Sequence, residues 1–432
     1  LQTDILTLLE NVKCQGNNPS GLKQALRALA NIFNSESASK EYFYVTGGVE
    51  ELQKLLLEGD CPLTVVPAAL YCLACAVRQN VTSQNAVLTE RMFSLIHELL
   101  SHGDSSDRLL QSAAFLLAFS VAGSNKGQLL AAETGCLQDL VNLLRDFLAS
   151  GSEDENTWSS VITAIGVCVS NPQNVHNQQV CCSMLPHTLK FVSTETGHKC
   201  LPHVFTLISS VVANNVPNQN RIRRCGGIEI LIDFIRHQVD IEMTPLSLNL
   251  LVSAVSAVDG CIVDNEECGS QAGTLGLVQI LLDLLETNNL ELSQMQIFII
   301  TLAHVLESSK HCQLINGSRG YYTLVNYFTE CQDEELVKTI KYILTLCKTQ
   351  DVSSLYPGRE YCSMGQTRAV TRSTGTQTVV ILLPLHLAGA KQGNNSQLVT
   401  NSIHLRGKLS LVKKSKTVVV ADMQLQIIHL VI

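Results

Sequence analysis

Apolar residues recur through the first 350 positions at i, i+3, i+4 and i+7, the spacing that turns one face of a helix toward a core. The pattern is punctuated. Segments such as ALRALANIF, ALYCLACAV, AAFLLAFSV, ITAIGVCVSN, FTLISSVVANN, LVSAVSAVDG, FIITLAHVL and IKYILTLCK each end in a polar break. After most of them come Asn and Gln, a glycine turn and a second apolar helix, as in TGGVEELQKLLL, TGCLQDLVNLL, CGGIEILIDFI and LGLVQILLDLL. Each unit therefore reads as a polar linker, a short helix, a Gly turn, a helix, and a longer helix rich in small residues.

Taking Asn31, Val77, Val121, Ser170, Asn214, Asp259, His304 and Cys347 as equivalent gives steps of 46, 44, 49, 44, 45, 45 and 43. One such unit cannot bury its apolar face alone, whereas stacked neighbours can, so the repeat predicts an all-α, right-handed α-solenoid. Its period and order resemble the armadillo repeat, with about seven to eight repeats over residues 1–350. The acidic stretch Ser150 to Thr157 lengthens one step to 49 and is expected to be a solvated loop between repeats.

Composition agrees with a helical interior of small side chains. Hydrophobic residues make up 46% but aromatics only 5%, with a single tryptophan, Trp158. Many of the 16 cysteines lie inside apolar runs, Cys72 and Cys75 among them, where a reduced thiol behaves as a small hydrophobe. That placement points to a reducing, nuclear or cytosolic compartment. The first residue is Leu1 rather than Met, which suggests a fragment.

Charge divides the chain in two. From Val352 onward there are nine Lys+Arg against two Asp+Glu, leaving 21 against 36 before it. A body so acidic is not expected to bind duplex DNA directly, because phosphate attraction supplies most non-specific affinity. The tail, 351–432, is basic and rich in Ser, Thr and Val, breaks the repeat, and is expected to lack order. Its most apolar run, Val379 to Ala390, is too short to span a bilayer and contains Pro384 and His386, so no transmembrane segment is expected.

The chemistry to be tested lies in SNPQNVHNQQVCCSMLPH, Ser170 to His187. Cys181 and Cys182 are adjacent, so on a helix they point about 100° apart, whereas two thiolates of one tetrahedral site normally need intervening residues. A metal or redox role drawing in His176, His187 or Cys168 is the weaker reading. The stronger is structural: proline ends one helix near Ser170 and Asn171, Asn174 caps the next, Cys181, Met184 and Leu185 face inward, and Pro186 opens the following helix. No catalytic motif is present; His97-Glu98 fails the zincin spacing, and neither catalysis nor a cofactor or metal is expected.

Import adaptors of the armadillo type grip basic peptides with Trp and Asn four residues apart on successive third helices. Asn31 and Asn214 occupy the asparagine register and are candidate protein-binding residues of the concave face. Four residues earlier, however, stand Arg27 and Ser210, with Leu73, Leu117, Gly166, Val255 and Ile300 in the other repeats. The tryptophan ladder is absent, so cargo binding of that type is not expected.

One stretch carries identity. Trp158-Ser159-Ser160, Cys168-Val169, Asn171 to Asn174, Asn177-Gln178, Cys181 to Ser183 and Pro186-His187 resemble the armadillo region of the telomere repeats-binding bouquet formation protein 1 family. The TGGV and ETGC turns, AALYCLACAV and VDGCIVDN fit the same family, and the resemblance covers roughly residues 1–350. It implies a meiosis-specific, non-catalytic nuclear scaffold that helps attach telomeres to the inner nuclear membrane, as a peripheral component, for chromosome movement and homologue pairing. The implied partners are telomeric repeat-binding factor 1, bouquet formation protein 2, the membrane-anchored junction protein and cohesin, with the family's known contact segments C-terminal to the array. A Myb-type repeat packs around spaced tryptophans, and none follows Trp158. The alternative is a general armadillo adaptor in cytoplasmic signalling or cilia.

Overall fold

The computed structural model describes residues 1–14, 18–58, 61–102, 106–150, 154–194, 199–240, 244–286, 290–308, 310–315, 319–354, 367–374 and 377–384. A helix pair, α1 (Gln2–Cys14) and α2 (Pro19–Ser35), opens the array. Units of three helices follow: α3 (Ala38–Val45), α4 (Gly48–Leu57) and α5 (Val66–Val77); α6 (Val81–Val87), α7 (Glu90–Ser101) and α8 (Asp107–Val121); then α9 (Asn125–Glu133), α10 (Cys136–Ser150) and α11 (Glu155–Val169). Next come α12 (Val175–Cys181) with the 3-10 turn Cys182–Met184, α13 (Leu185–Thr194) and α14 (Leu201–Val212); α15 (Val216–Arg224), α16 (Gly227–Val239) and α17 (Pro245–Ile262); and α18 (Glu266–Thr274), α19 (Leu277–Leu285) and α20 (Leu292–Ser308). A 3-10 turn, Lys310–Leu314, then leads into α21 (Arg319–Glu330) and α22 (Glu334–Ser354).

The helices stack in rows. The last helix of each unit packs on the last helix of the next, from α2 through α5, α8, α11, α14, α17 and α20 to α22, while α4, α7, α10, α13, α16, α19 and α21 form a parallel row. Short first helices meet at the joints, α3 against α6, α9 against α12 and α15 against α18. One continuous apolar core runs from Ile5 to Cys347. This is the all-helical, solenoid-like architecture that the period predicts.

Position in the rows explains composition. Middle helices such as α7 bury one stripe, Met92, Phe93, Ile96 and Leu100. Third helices lie between neighbours on both sides and bury nearly every residue, as α8 does from Ser112 to Val121, so small Ala and Ser side chains let the backbones approach.

The turns before α4, α10, α16 and α19 each hold a left-handed glycine: Gly47, Gly135, Gly226 and Gly276. Gly226 has φ +72°, a backbone region that Gly adopts without steric cost, and the adjoining Gly227 faces Ile222 and Leu189, which an added Cβ would meet at 2.7 and 2.8 Å. A second left-handed residue follows five of the third helices: Gln79, Gly123, Asn171, Asn214 and Asp264. It reverses the chain into the next first helix, whose N-cap accepts a hydrogen bond from the amide three residues on: Asn80, Ser124, Asn174, Asn215 and Asn265.

By length and composition α17 could cross a membrane, a property that attention to the tail alone passed over; here it is a core helix packed between α14 and α20. Of the acidic stretch, 151–153 lie outside the described residues, while its ends are helical and Thr157 is buried. Where the sequence led us to expect no regular element, two strands, β1 (Thr367–Thr374) and β2 (Gln377–Pro384), pair antiparallel in the register Thr367↔Pro384 to Thr374↔Gln377. Their runs of Thr and Val suit a pleated backbone. The tail from 385 on lies outside the described residues.

Candidate functional site

The joints between units hold a ladder of buried amides. Gln128 Nε2 donates to the carbonyls of Val167 (2.9 Å), Ser170 (3.1 Å) and Pro172 (3.0 Å). In the following units Gln178 donates to Ser210 (2.8 Å) and Ala213 (3.0 Å), and Gln219 to Gly260 (2.9 Å) and Val263 (3.0 Å). Gln84 does the same to Phe119 (3.1 Å) and Ala122 (2.6 Å). Each glutamine sits four residues after an N-cap and closes the C-terminal carbonyls of its own unit's third helix, groups that have no partner within that helix.

Asparagines complete the ladder. Asn177 Nδ2 donates to Gln128 O (2.9 Å) and Cys168 O (2.8 Å), and Asn218 Nδ2 to Gln178 O (3.0 Å) and Val211 O (2.9 Å). The caps Asn215 and Asn265 donate to Gln178 Oε1 and Gln219 Oε1, both at 3.1 Å. At the first joint the equivalent donor is Lys40, whose Nζ reaches Arg78 O at 2.7 Å while almost wholly buried. Burial, and next the Arg78 guanidinium, hold its pKa below the usual lysine range. At the last joint Gly269 replaces the glutamine, where an added Cβ would meet Ser308 at 2.5 Å.

The stretch from Ser170 to His187 is thereby explained. Three of its six Asn and Gln, namely Asn174, Asn177 and Gln178, are buried rungs, while Asn171, Gln173 and Gln179 are exposed. Cys181, Met184 and Leu185 face the core and α13 begins at Leu185-Pro186, as the sequence predicts. Burial first, then Cys168 and Cys182, push the Cys181 thiol well above its ordinary range, whereas Cys182 is only half-buried. Among the described residues no group of three His, Cys, Asp or Glu is placed to hold a metal ion.

The two candidate asparagines do not share a register. Asn31 is exposed within α2, four residues before its end. Asn214 lies past the end of α14 at φ +49°, and its Nδ2 donates to Gln173 Oε1 at 3.2 Å. Counting between third-helix ends, Ser35, Val77, Val121, Val169, Val212, Ile262 and Ser308, gives steps of 42, 44, 48, 43, 50 and 46. Helices and loops of unequal length make the regular sequence alignment drift, from four residues before the helix end at Asn31 and His304 to two past it at Asn214.

The row of third helices presents two other features. Toward its start Tyr71, Phe115 and Phe119 form a ring series at 6.4 and 6.1 Å, capped by the Arg78 guanidinium 5.8 Å from the Phe119 ring. Midway, between α11 and α14, a cleft is lined by Ile162, Thr163, Gly166 and Val167 on one side and His203, Thr206, Leu207 and Ser210 on the other. The Thr163 hydroxyl and His203 Nδ1 are buried there without a hydrogen-bond partner. Sequence reasoning missed this cleft because its two walls lie 40 residues apart, at Thr163 and His203.

No protein-family model matches the chain. Among solved structures it is similar to an engineered protein (19% identity, TM-score 0.63, 79% of this chain and 78% of that one). It is also similar to Uso1-1 (13% identity, TM-score 0.58, 82% and 62%). Both likenesses concern the fold alone. Telomere repeats-binding bouquet formation protein 1 of Homo sapiens is 30% identical over 359 residues, 81% of this chain and 49% of that protein. Those of Mus musculus and Danio rerio are each 28% identical, over 81% and 83% of this chain and 47% and 44% of theirs. The chain thus spans about half the length of the curated relatives it matches. Over four fifths of its own length, this chain is a relative of telomere repeats-binding bouquet formation protein 1.

Proposed function

We propose that the chain is a non-catalytic protein-binding scaffold of the meiotic telomere complex, acting in the nucleus at chromosome ends. The observation that carries this reading is the 28–30% identity to three bouquet formation proteins over four fifths of the chain. Under it, the array is of the armadillo type, with six complete three-helix units after the opening pair and a seventh whose first element is the 3-10 turn Lys310–Leu314. The row of third helices forms the concave face, a long surface that several units can apply to one extended or helical partner segment. Asn31, exposed on α2, remains a candidate contact; Asn214 is engaged by its neighbour.

The scaffold would help hold telomeres at the inner nuclear membrane without crossing it, and its partners would be proteins of that assembly. Expression of the tagged chain in meiotic prophase cells tests this. Foci at chromosome ends, and capture of telomere-complex proteins by the array, are the expected results. A diffuse cytoplasmic signal with capture of signalling or ciliary proteins would support the general adaptor instead.

A further inference from the structure

We propose that the cleft between α11 and α14 is a subsite for a carboxamide side chain, Asn or Gln, presented by an extended segment of a partner protein. The inference rests on the reading of the third-helix row as the binding face and specifies what one part of that face selects.

The lining supplies hydrogen-bonding groups but no charge. Thr163 Oγ1 and His203 Nδ1 are buried without partners, an unfavourable arrangement that a hydrogen-bonding ligand relieves. The Thr206 hydroxyl donates to Pro202 O and the Ser210 hydroxyl to Thr206 O, each at 2.9 Å, so both oxygens can only accept from a ligand. An apolar side chain entering here would leave Thr163 and His203 unsatisfied. A charged one would be desolvated without a counter-ion in the lining, and the carboxylate that acts on His203, that of Glu155, is already paired with Lys199 at 3.4 Å.

A carboxamide offers what the site lacks. Its oxygen accepts from the Thr163 hydroxyl, and its NH2 donates to Nδ1 of a neutral His203 or to the Thr206 oxygen. Burial favours that neutral ring, since it holds the His203 pKa below the ordinary histidine value, with Glu155 opposing in part. Gly166, without a side chain, leaves room in the wall.

Selection of a random peptide library on the full chain tests the proposal. Enriched peptides are expected to share an Asn or Gln at one position, and changing it to Met or Glu should weaken binding roughly 5- to 10-fold, the effect of one or two lost hydrogen bonds. Thr163→Val, which preserves shape, and His203→Phe should each erase the preference for Gln over Met. That preference is a ratio, so partial unfolding of a variant does not imitate its loss. Peptides that bind equally well with Met, or a preference unchanged in both variants, would overturn the subsite and leave a cleft filled by water on an intact binding face. Failure to enrich any peptide would overturn the binding face as well.

Discussion

Asn215 Nδ2 donates to Gln178 Oε1 at 3.1 Å, so the cap of one first helix orients an amide whose own NH2 closes the end of the third helix lying between them in sequence. Three helices from two units meet at one side chain. Gln178→Leu would leave the carbonyls of Ser210 and Ala213 and the Asn215 amide without this partner in a dry site. We expect a loss of about 3 kcal/mol. Gln84→Leu, at a half-buried joint that water can enter, should cost roughly 1 kcal/mol. Urea unfolding of the two variants side by side measures the difference; equal losses would mean that the rungs act only as packing volume.

Lys40 performs the same task with a charge that its site disfavours. Its native pKa lies below the unfolded value, so between the two the unfolded chain binds more protons and stability rises with pH. Lys40→Gln installs the group used at four later joints. It is expected to leave stability at pH 7 equal or higher by up to about 1 kcal/mol, and to remove the Lys40 share of the alkaline rise toward pH 10.5. Urea midpoints from pH 7 to 10.5 in both proteins provide the check. A variant clearly less stable at neutral pH would show that the ammonium's stronger hydrogen bond outweighs its desolvation.

The paired glycines at 226 and 227 separate two costs that sequence cannot distinguish. Gly226→Ala meets nothing within 4 Å and bears only the left-handed backbone, about 1–2 kcal/mol. Gly227→Ala has an ordinary backbone but brings a methyl to 2.7 Å from Ile222 and 2.8 Å from Leu189, an overpacking that costs typically 1–3 kcal/mol. Shortening Leu189 relieves part of the second clash, so the costs of Gly227→Ala and Leu189→Ala should combine to less than their sum, whereas those of Gly226→Ala and Leu189→Ala should add. Thermal unfolding of the singles and the Leu189→Ala doubles decides it.

The unit order was legible because Gly turns and caps act locally: Asn174 caps α12 through an amide three residues away, and Gly226 sits where the turn demands it. The ladder was not. Gln178 and Ser210 are 32 residues apart, and a side-chain bond to a backbone carbonyl leaves no complementary residue type to find in the sequence. The recurrence of Asn80 with Gln84, Asn174 with Gln178 and Asn215 with Gln219, always four apart, was the available signal. Assuming a constant period concealed it and placed Asn214 in a helical register when it occupies the turn beyond. The cleft between α11 and α14 follows from the meeting of two helices whose residues are unremarkable in either sequence.

The adjacent thiols should differ sharply in reactivity, which tests the structural reading of the stretch directly. Cys181 is fully buried and its thiol is held well above the ordinary range, so it presents neither access nor thiolate. Cys182 is half-buried, and although burial raises its pKa, the Arg221 guanidinium opposes the rise. Brief iodoacetamide treatment of the folded chain at pH 8 should modify the exposed Cys14 and Cys225 first and Cys182 more slowly, with Cys181 protected until denaturant is added. The same burial predicts the pH response: a thiol raised in the native state keeps its proton when the unfolded thiol loses it, so stability is full below the unfolded value of 9.0 and falls as pH rises above it. Cys181→Ser, which buries a hydroxyl in that pocket, should cost about 1–3 kcal/mol, and Cys182→Ser less than about 0.5. Mass spectrometry of the labelled peptides reads the order. Early labelling of Cys181 would show that the joint opens readily and would revive a redox role for the pair.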